Sequence, residues 1–142
     1  MMISTRGRYA LRVACDLAVH NDGSLIPMRD IADRQGLSLG YVARIIPVLS
    51  RAGIVEGTSG KGGGYRLKRA AKDCTVAEIL RLTEESLTPV KCLEKGVEPC
   101  DRRDCCLTLP VWKGLQKVVD DYLQNVTIED VIEKRVPQKV GQ

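Results

Sequence analysis

Phenylalanine is absent from these 142 residues, and tryptophan and histidine occur once each. Aromatic residues make up 4% of the chain and hydrophobic residues 44%, so an aliphatic core is expected. This composition is globular and excludes a disordered chain. No apolar run approaches the roughly 18 residues needed to cross a bilayer. No export signal is expected either: Cys15 follows Leu11, Val13 and Ala14, but Arg6, Arg8, Arg12 and Asp16 interrupt any apolar segment there. The expected compartment is therefore a reducing cytoplasm, where clustered cysteines favour metal or redox roles over structural disulfides. A nucleotide-binding loop is excluded by spacing. Lys61 is followed by three glycines and a strand pattern, whereas a phosphate loop needs Gly, four residues and then Gly-Lys-Ser/Thr opening a helix. No enzymatic activity is expected.

Cysteine, in contrast, is concentrated. Four of the six cysteines fall within Cys92–Cys106, CLEKGVEPCDRRDCC, a charged stretch with too little apolar content to form a core element. A metal, an iron–sulfur cluster or a disulfide must hold such a segment. Charge is concentrated too. Residues 1–72 carry 12 Lys/Arg against 5 Asp/Glu, and residues 73–142 carry 10 against 13. A basic first half joined to an acidic second half points to a nucleic-acid-binding domain attached to something else.

Along the chain, a first helix is expected after Ser4 or Thr5, through Tyr9, Val13 and Leu17, and stopped by Asn21-Asp22-Gly23. A short helix over Arg29–Gln35 ends at Gly36, and Ser38 caps a second helix running to about Ala52. The pair forms a helix-turn-helix. Pro47 is expected to kink or shorten the second helix near Ala43. Strands at Gly53–Glu56 and Tyr65–Leu67 flank a glycine-rich tip and make a hairpin, the wing of a winged helix. Thr75 and Glu78 form a capping box for a helix carrying Ile79, Leu80 and Leu82. After the cysteine loop, Thr108 and Pro110 open a helix with an apolar stripe of Val111, Trp112, Leu115, Val118, Val119, Tyr122, Leu123 and Val126. The winged helix already has its own core elements, so this stripe is assigned to a homodimer interface. Thr127 caps a last helix over Ile128–Lys134. The fold class is mainly α, with a winged helix-turn-helix domain at 1–86, a cysteine-rich cluster-binding loop at 87–107, the dimerisation helix and short C-terminal helix at 108–136, and a tail at 137–142.

A winged helix places the N-terminal turns of its second helix in the major groove of double-stranded DNA and its wing on the neighbouring backbone or minor groove. Ser38, Gly40, Tyr41 and Arg44 are the residues placed to touch DNA, with Arg44 suited to guanine edges. Lys61 with the amides of Gly62 and Gly63 suits phosphate contact, and Arg6, Arg8 and Arg29 can add more. Two winged helices paired through residues 111–126 would set their recognition helices about 34 Å apart, as a palindromic operator demands. Zinc fits the loop poorly, because structural zinc sites bring cysteines in pairs two to four residues apart. The gaps here are wider, and adjacent Cys105 and Cys106 cannot easily share one ion. Wide gaps of thiolates suit an iron–sulfur cluster. Three good thiolates plus a replaceable ligand suit a sensor better than an electron carrier.

Four segments together carry a resemblance: STRGRYALR at 4–12, IADRQGLSLGYVARI at 31–45, GGGYRL at 62–67, and a cysteine loop ending in CLT before a Trp-containing helix. The chain resembles the winged-helix regulator family of IscR, NsrR and CymR over nearly its whole length. The resemblance implies a dimeric transcription factor, usually a repressor, whose operator affinity depends on an iron–sulfur cluster sensing iron–sulfur status, nitric oxide or redox state. It implies Cys92, Cys100 and Cys106 as ligands, with Cys105 an extra cysteine, and a 2Fe–2S cluster ahead of a 4Fe–4S one. IscR-like members supply a fourth ligand from a His three residues after the last cysteine. Leu109 stands there in this chain, leaving Cys105, Asp104 or a group from the partner chain. The wing carries Ser59 and Lys61 where IscR-like proteins have Arg and Pro, and Ala43 stands where they have a Glu that tunes operator choice. A cluster-free, thiol-based regulator using Cys100, Cys105 or Cys106 is the alternative. A small iron–sulfur or zinc-binding protein-interaction module is a second alternative, from another class.

Overall fold

A computed structural model describes residues 2–138. Helix α1, Thr5–Val19, begins where the Ser4 hydroxyl accepts the Gly7 amide proton at 3.0 Å, and it buries Ala10, Val13, Ala14 and Leu17. The carboxylate of Glu84 accepts from both the amide and the hydroxyl of Ser4, at 2.9 and 2.8 Å. Helix α2, Met28–Gln35, ends on Gly36, whose φ of 65° is the left-handed conformation a glycine adopts without cost. Ser38 accepts from the Tyr41 amide and starts α3, Leu39–Arg51.

The expected shortening of α3 at Pro47 does not occur: the helix runs on to Arg51. Pro47 and Ala43 both lie on the exposed side. The carbonyl that loses its amide partner at Ala43 is therefore on the side that water can serve, and Val42, Ile45, Ile46 and Leu49 on the core face are buried.

The wing pairs β1, Val55–Thr58, with β2, Gly64–Leu67, antiparallel, Val55 opposite Leu67 and Thr58 opposite Gly64. The first strand thus begins two residues later than expected. Ile26 adds a bridge to Tyr65, with both amide-to-carbonyl distances 2.8 Å, and so anchors the wing to the segment before α2. Gly64 makes this approach possible. A Cβ there would lie 2.7 to 2.9 Å from the backbone of Ile26. Gly64→Ala is expected to destabilise the protein by about 2 kcal/mol, the usual scale of overpacking, read as a lower urea midpoint with an unchanged slope.

Helix α4, Val76–Thr83, follows a cap in which Thr75 accepts from the Glu78 amide at 3.1 Å. The expected box is only half formed, because the Glu78 carboxylate pairs with Arg69 instead. The complete capping box lies at Thr127 and Asp130, with both bonds 3.0 Å, and starts α6, Ile128–Ile132. That helix stops two residues short of the expected Lys134. Before it, α5 spans Leu109–Asn125.

One cluster, including Val13, Leu17, Ile31, Ile45, Ile46, Leu49, Ile54, Ile79 and Ile128, forms the main core. The last helix therefore packs into the winged-helix core through Ile128. A smaller cluster of Val76, Leu80 and Val126 takes Tyr122 and Leu123 against it. Val126 is only 3% exposed and its carbonyl accepts the Val76 amide at 2.8 Å, so it belongs to the protomer's own core and not to a free interface stripe. Of the tail at 137–142, residues 139–142 lie outside the described residues. The Pro137 carbonyl accepts from the Tyr122 hydroxyl at 3.3 Å.

Candidate nucleic-acid interface and cysteine loop

The outward face of α3 begins with Ser38, Leu39 and Gly40 and continues through Ala43 and Arg44, all exposed. Ser38 uses a lone pair in its cap. Tyr41 stands apart: its ring is half-buried and meets the ring of Tyr9 edge-on, centroids 5.1 Å apart. The Arg12 guanidinium lies 5.3 Å from the Tyr9 centroid on the same path. Tyr41 therefore ties α3 to α1, leaving its hydroxyl end as the part suited to DNA. Arg29 is exposed in the first turn of α2. At the wing tip Lys61 and Gly62 are exposed, and Lys61 lies between Gly60 at φ 95° and Gly62 at φ 76°. Gly63 does not fit its expected phosphate role, because its amide donates to the Gly60 carbonyl at 3.0 Å and closes the turn.

The orientation of the helix-turn-helix rests on a group that the sequence pattern did not single out. Asp16, 3% exposed on α1, accepts from Arg34 at 2.8 and 3.0 Å and from Gln35 at 3.0 Å. Burial works to raise its carboxyl. The hydrogen bonds from Arg34 and Gln35, with the Arg34 charge, outweigh that and hold it below the ordinary aspartate value. An acid in register with Val13 and Leu17 on an apolar helix face was the available signal. His20 lies at the end of α1, its Nδ1 2.9 Å from the Asp16 carbonyl.

In the loop, Cys92 is half-buried within a single 3-10 turn at Lys91–Leu93, Cys100 and Cys105 are exposed, and Cys106 is half-buried. Among the described residues, no three His, Cys, Asp or Glu side chains are gathered to hold a metal ion. Cys92, Cys100 and Cys106 are thus not brought together in this arrangement. As a donor set they fit an iron–sulfur cluster, being accessible sulfur ligands on a segment with little packing to resist rearrangement. The Cys106 sulfur lies 3.4 Å from the Thr108 hydroxyl, and this hydrogen bond lowers its thiol below the ordinary value. Cys15, half-buried, is pushed up to about 11 by burial, and burial also raises Cys74; both are inert packing thiols.

The family model for Rrf2, described as an iron-dependent transcriptional regulator, matches residues 3–134. The chain belongs to the Rrf2 family. It is 33% identical over 135 residues to the HTH-type transcriptional regulator IscR of Pectobacterium carotovorum subsp. carotovorum strain PC1, covering 95% of this chain and 81% of that protein. Two solved structures are similar to this Rrf2 protein. CymR, the global cysteine regulator of B. subtilis, superposes with a TM-score of 0.75 at 28% identity, covering 94% of this chain and 98% of that one. IscR of T. potens gives 0.73 at 30% identity, covering 100% and 93%. This chain is thus a transcriptional regulator of the IscR/Rrf2 type, with the mainly helical, two-stranded fold of winged-helix members. Among the described residues no helix is long and apolar enough to cross a membrane.

Proposed function

We propose that this protein is a cytoplasmic, homodimeric repressor that binds a palindromic operator with an affinity set by an iron–sulfur cluster on Cys92, Cys100 and Cys106. The observation that carries this reading is the placement of the thiol loop. It is exposed, it follows α4 of the DNA-reading domain, and it leads into α5, which has no buried residue of its own. Val111, Leu115 and Val118 are 59%, 41% and 43% exposed along that helix, and Trp112 and Val119 are half-buried. A second copy of α5 would cover this row. What a cluster supplies when bound is redox chemistry. Gathering the three cysteines would draw the loop together and shift the start of α5, and with it the spacing of the two recognition helices.

Arg44 on the exposed face of α3 is the residue suited to guanine. Arg44→Ala is expected to weaken operator binding by roughly 10- to 100-fold, the scale of one bidentate base contact, and to relax sequence preference at one base pair, measured by fluorescence anisotropy.

The test of cluster dependence is anaerobic purification with a visible spectrum and iron and sulfide counts, followed by footprinting of loaded and unloaded protein on one duplex. Bound iron and sulfide with unequal occupancy is the expected result. Colourless, iron-free protein would move the reading to a thiol regulator. That second reading is favoured by one observation, the Cys106 sulfur lying 3.4 Å from the Thr108 hydroxyl just before α5, and fits the likeness to CymR.

A further inference from the structure

We infer that Leu39 is a specificity-determining residue that reads the methyl group of a thymine flanking the guanine read by Arg44. The inference rests on the DNA-reading role of α3 and adds the chemistry of what that helix prefers.

Hydrogen-bonding groups are few on this face. The Ser38 hydroxyl gives one lone pair to its cap, and Tyr41, its ring held against Tyr9, offers only its hydroxyl end. The remaining exposed positions in the first two turns are Leu39, Gly40, Ala43 and Arg44. Residues four apart on a helix are neighbours. Leu39 and Ala43 therefore form one edge, and Gly40 and Arg44 the next.

An exposed leucine alone needs no explanation. Leu39, however, is 47% exposed in the opening turn of the helix that enters the groove, in line with Ala43 and beside Arg44. Gly40 is a separate observation. A Cβ there would meet nothing within 4 Å, and glycine costs a helix up to about 1 kcal/mol relative to alanine. No packing inside the protein calls for it. Removing a side chain at that point lets the helix backbone sit closer to the bases, bringing the Leu39 edge into contact. Among base edges in the major groove, the partner for an apolar side chain is the thymine C5-methyl group.

The test uses full-length protein purified anaerobically and duplexes enriched on it from a random pool. In the best-bound duplex, each thymine is replaced in turn by deoxyuridine, which deletes the methyl and keeps every hydrogen-bonding group. Binding is expected to fall about 4-fold for each contacted methyl, the equivalent of one buried methylene. The sensitive positions should flank the guanine at which Arg44→Ala relaxes preference. Leu39→Ala should erase the thymine-to-deoxyuridine difference at one position, and Leu39→Met should retain it. Because Leu39 is exposed, both variants should keep the wild-type urea midpoint. Equal binding of every deoxyuridine duplex by the wild type, or an unchanged difference in Leu39→Ala, overturns the inference while DNA reading stands. If no duplex is enriched and DNA binding shows no salt dependence, DNA reading falls, and the inference with it.

Discussion

Asp16→Ala is expected to destabilise the folded protein by about 3 kcal/mol. Removing one partner of a buried pair typically costs about 3–5 kcal/mol, because the other charge is left uncompensated. The lower end applies, since the Arg34 side chain is 34% exposed and its guanidinium can be rehydrated. For a chain of this size the loss corresponds to roughly 6–12 °C in Tm, readable by thermal melts followed by circular dichroism. A loss under about 1 kcal/mol would show that α1 and α2 are held by apolar packing alone. The pH dependence follows from the same contacts. The folded carboxyl lies below its unfolded value, so the stabilisation is fully present above the unfolded value, about 3.9, and is lost as pH falls through the folded one. The stability gap between wild type and Asp16→Asn should accordingly close in acid and be constant near neutrality.

The second large effect concerns bound iron. Serine at Cys92, Cys100 or Cys106 is expected to reduce iron and sulfide to background in anaerobically purified protein, since each substitution removes a proposed thiolate ligand. Serine at Cys15 should leave both counts unchanged, because that half-buried thiol packs against the core on α1. Cys105→Ser separates two possibilities for the fourth ligand. Retained iron would assign that position to another group, such as Asp104 or a partner-chain residue, whereas lost iron would assign it to Cys105. If the three single variants all kept their iron, the ligand set implied by the CLT register would be wrong.

The parts of the fold that were legible in the sequence are those that local chemistry decides. Ser4, Ser38 and Thr127 cap helices because each hydroxyl reaches an amide three residues on. Gly36 ends α2 because glycine takes a positive φ freely. The hairpin, the recognition helix and the apolar stripe were readable from periodicity. What stayed hidden depends on groups distant in the chain. Glu78 fits a reciprocal cap by spacing, yet Arg69 competes for it. Val126 continues the stripe in register, but the chain turns there and buries it beside Val76 and Leu80. Gly63 looked like a phosphate-binding amide until the Gly60 carbonyl took its proton. The bridge from Ile26 to Tyr65 has no pattern to announce it. Of the candidate site, Arg29, Arg44 and Lys61 lie on the surface, whereas the cysteines stand apart in a loop whose own residues provide too little burial to fix their arrangement.

The clasp between Glu84 and Ser4 has a kinetic meaning. Ser4 starts α1, and Glu84 is the residue on which α4 ends, just before the chain enters the cysteine loop. Any strain drawn along that segment pulls first on the two hydrogen bonds that hold Ser4 in place, and then on the Gly7 amide that Ser4 protects. Solvent deuterium should therefore enter the first turn of α1 at a rate that follows the condition of the loop, while the amides of Val13 and Leu17, deep in the core, keep their slow exchange in either condition.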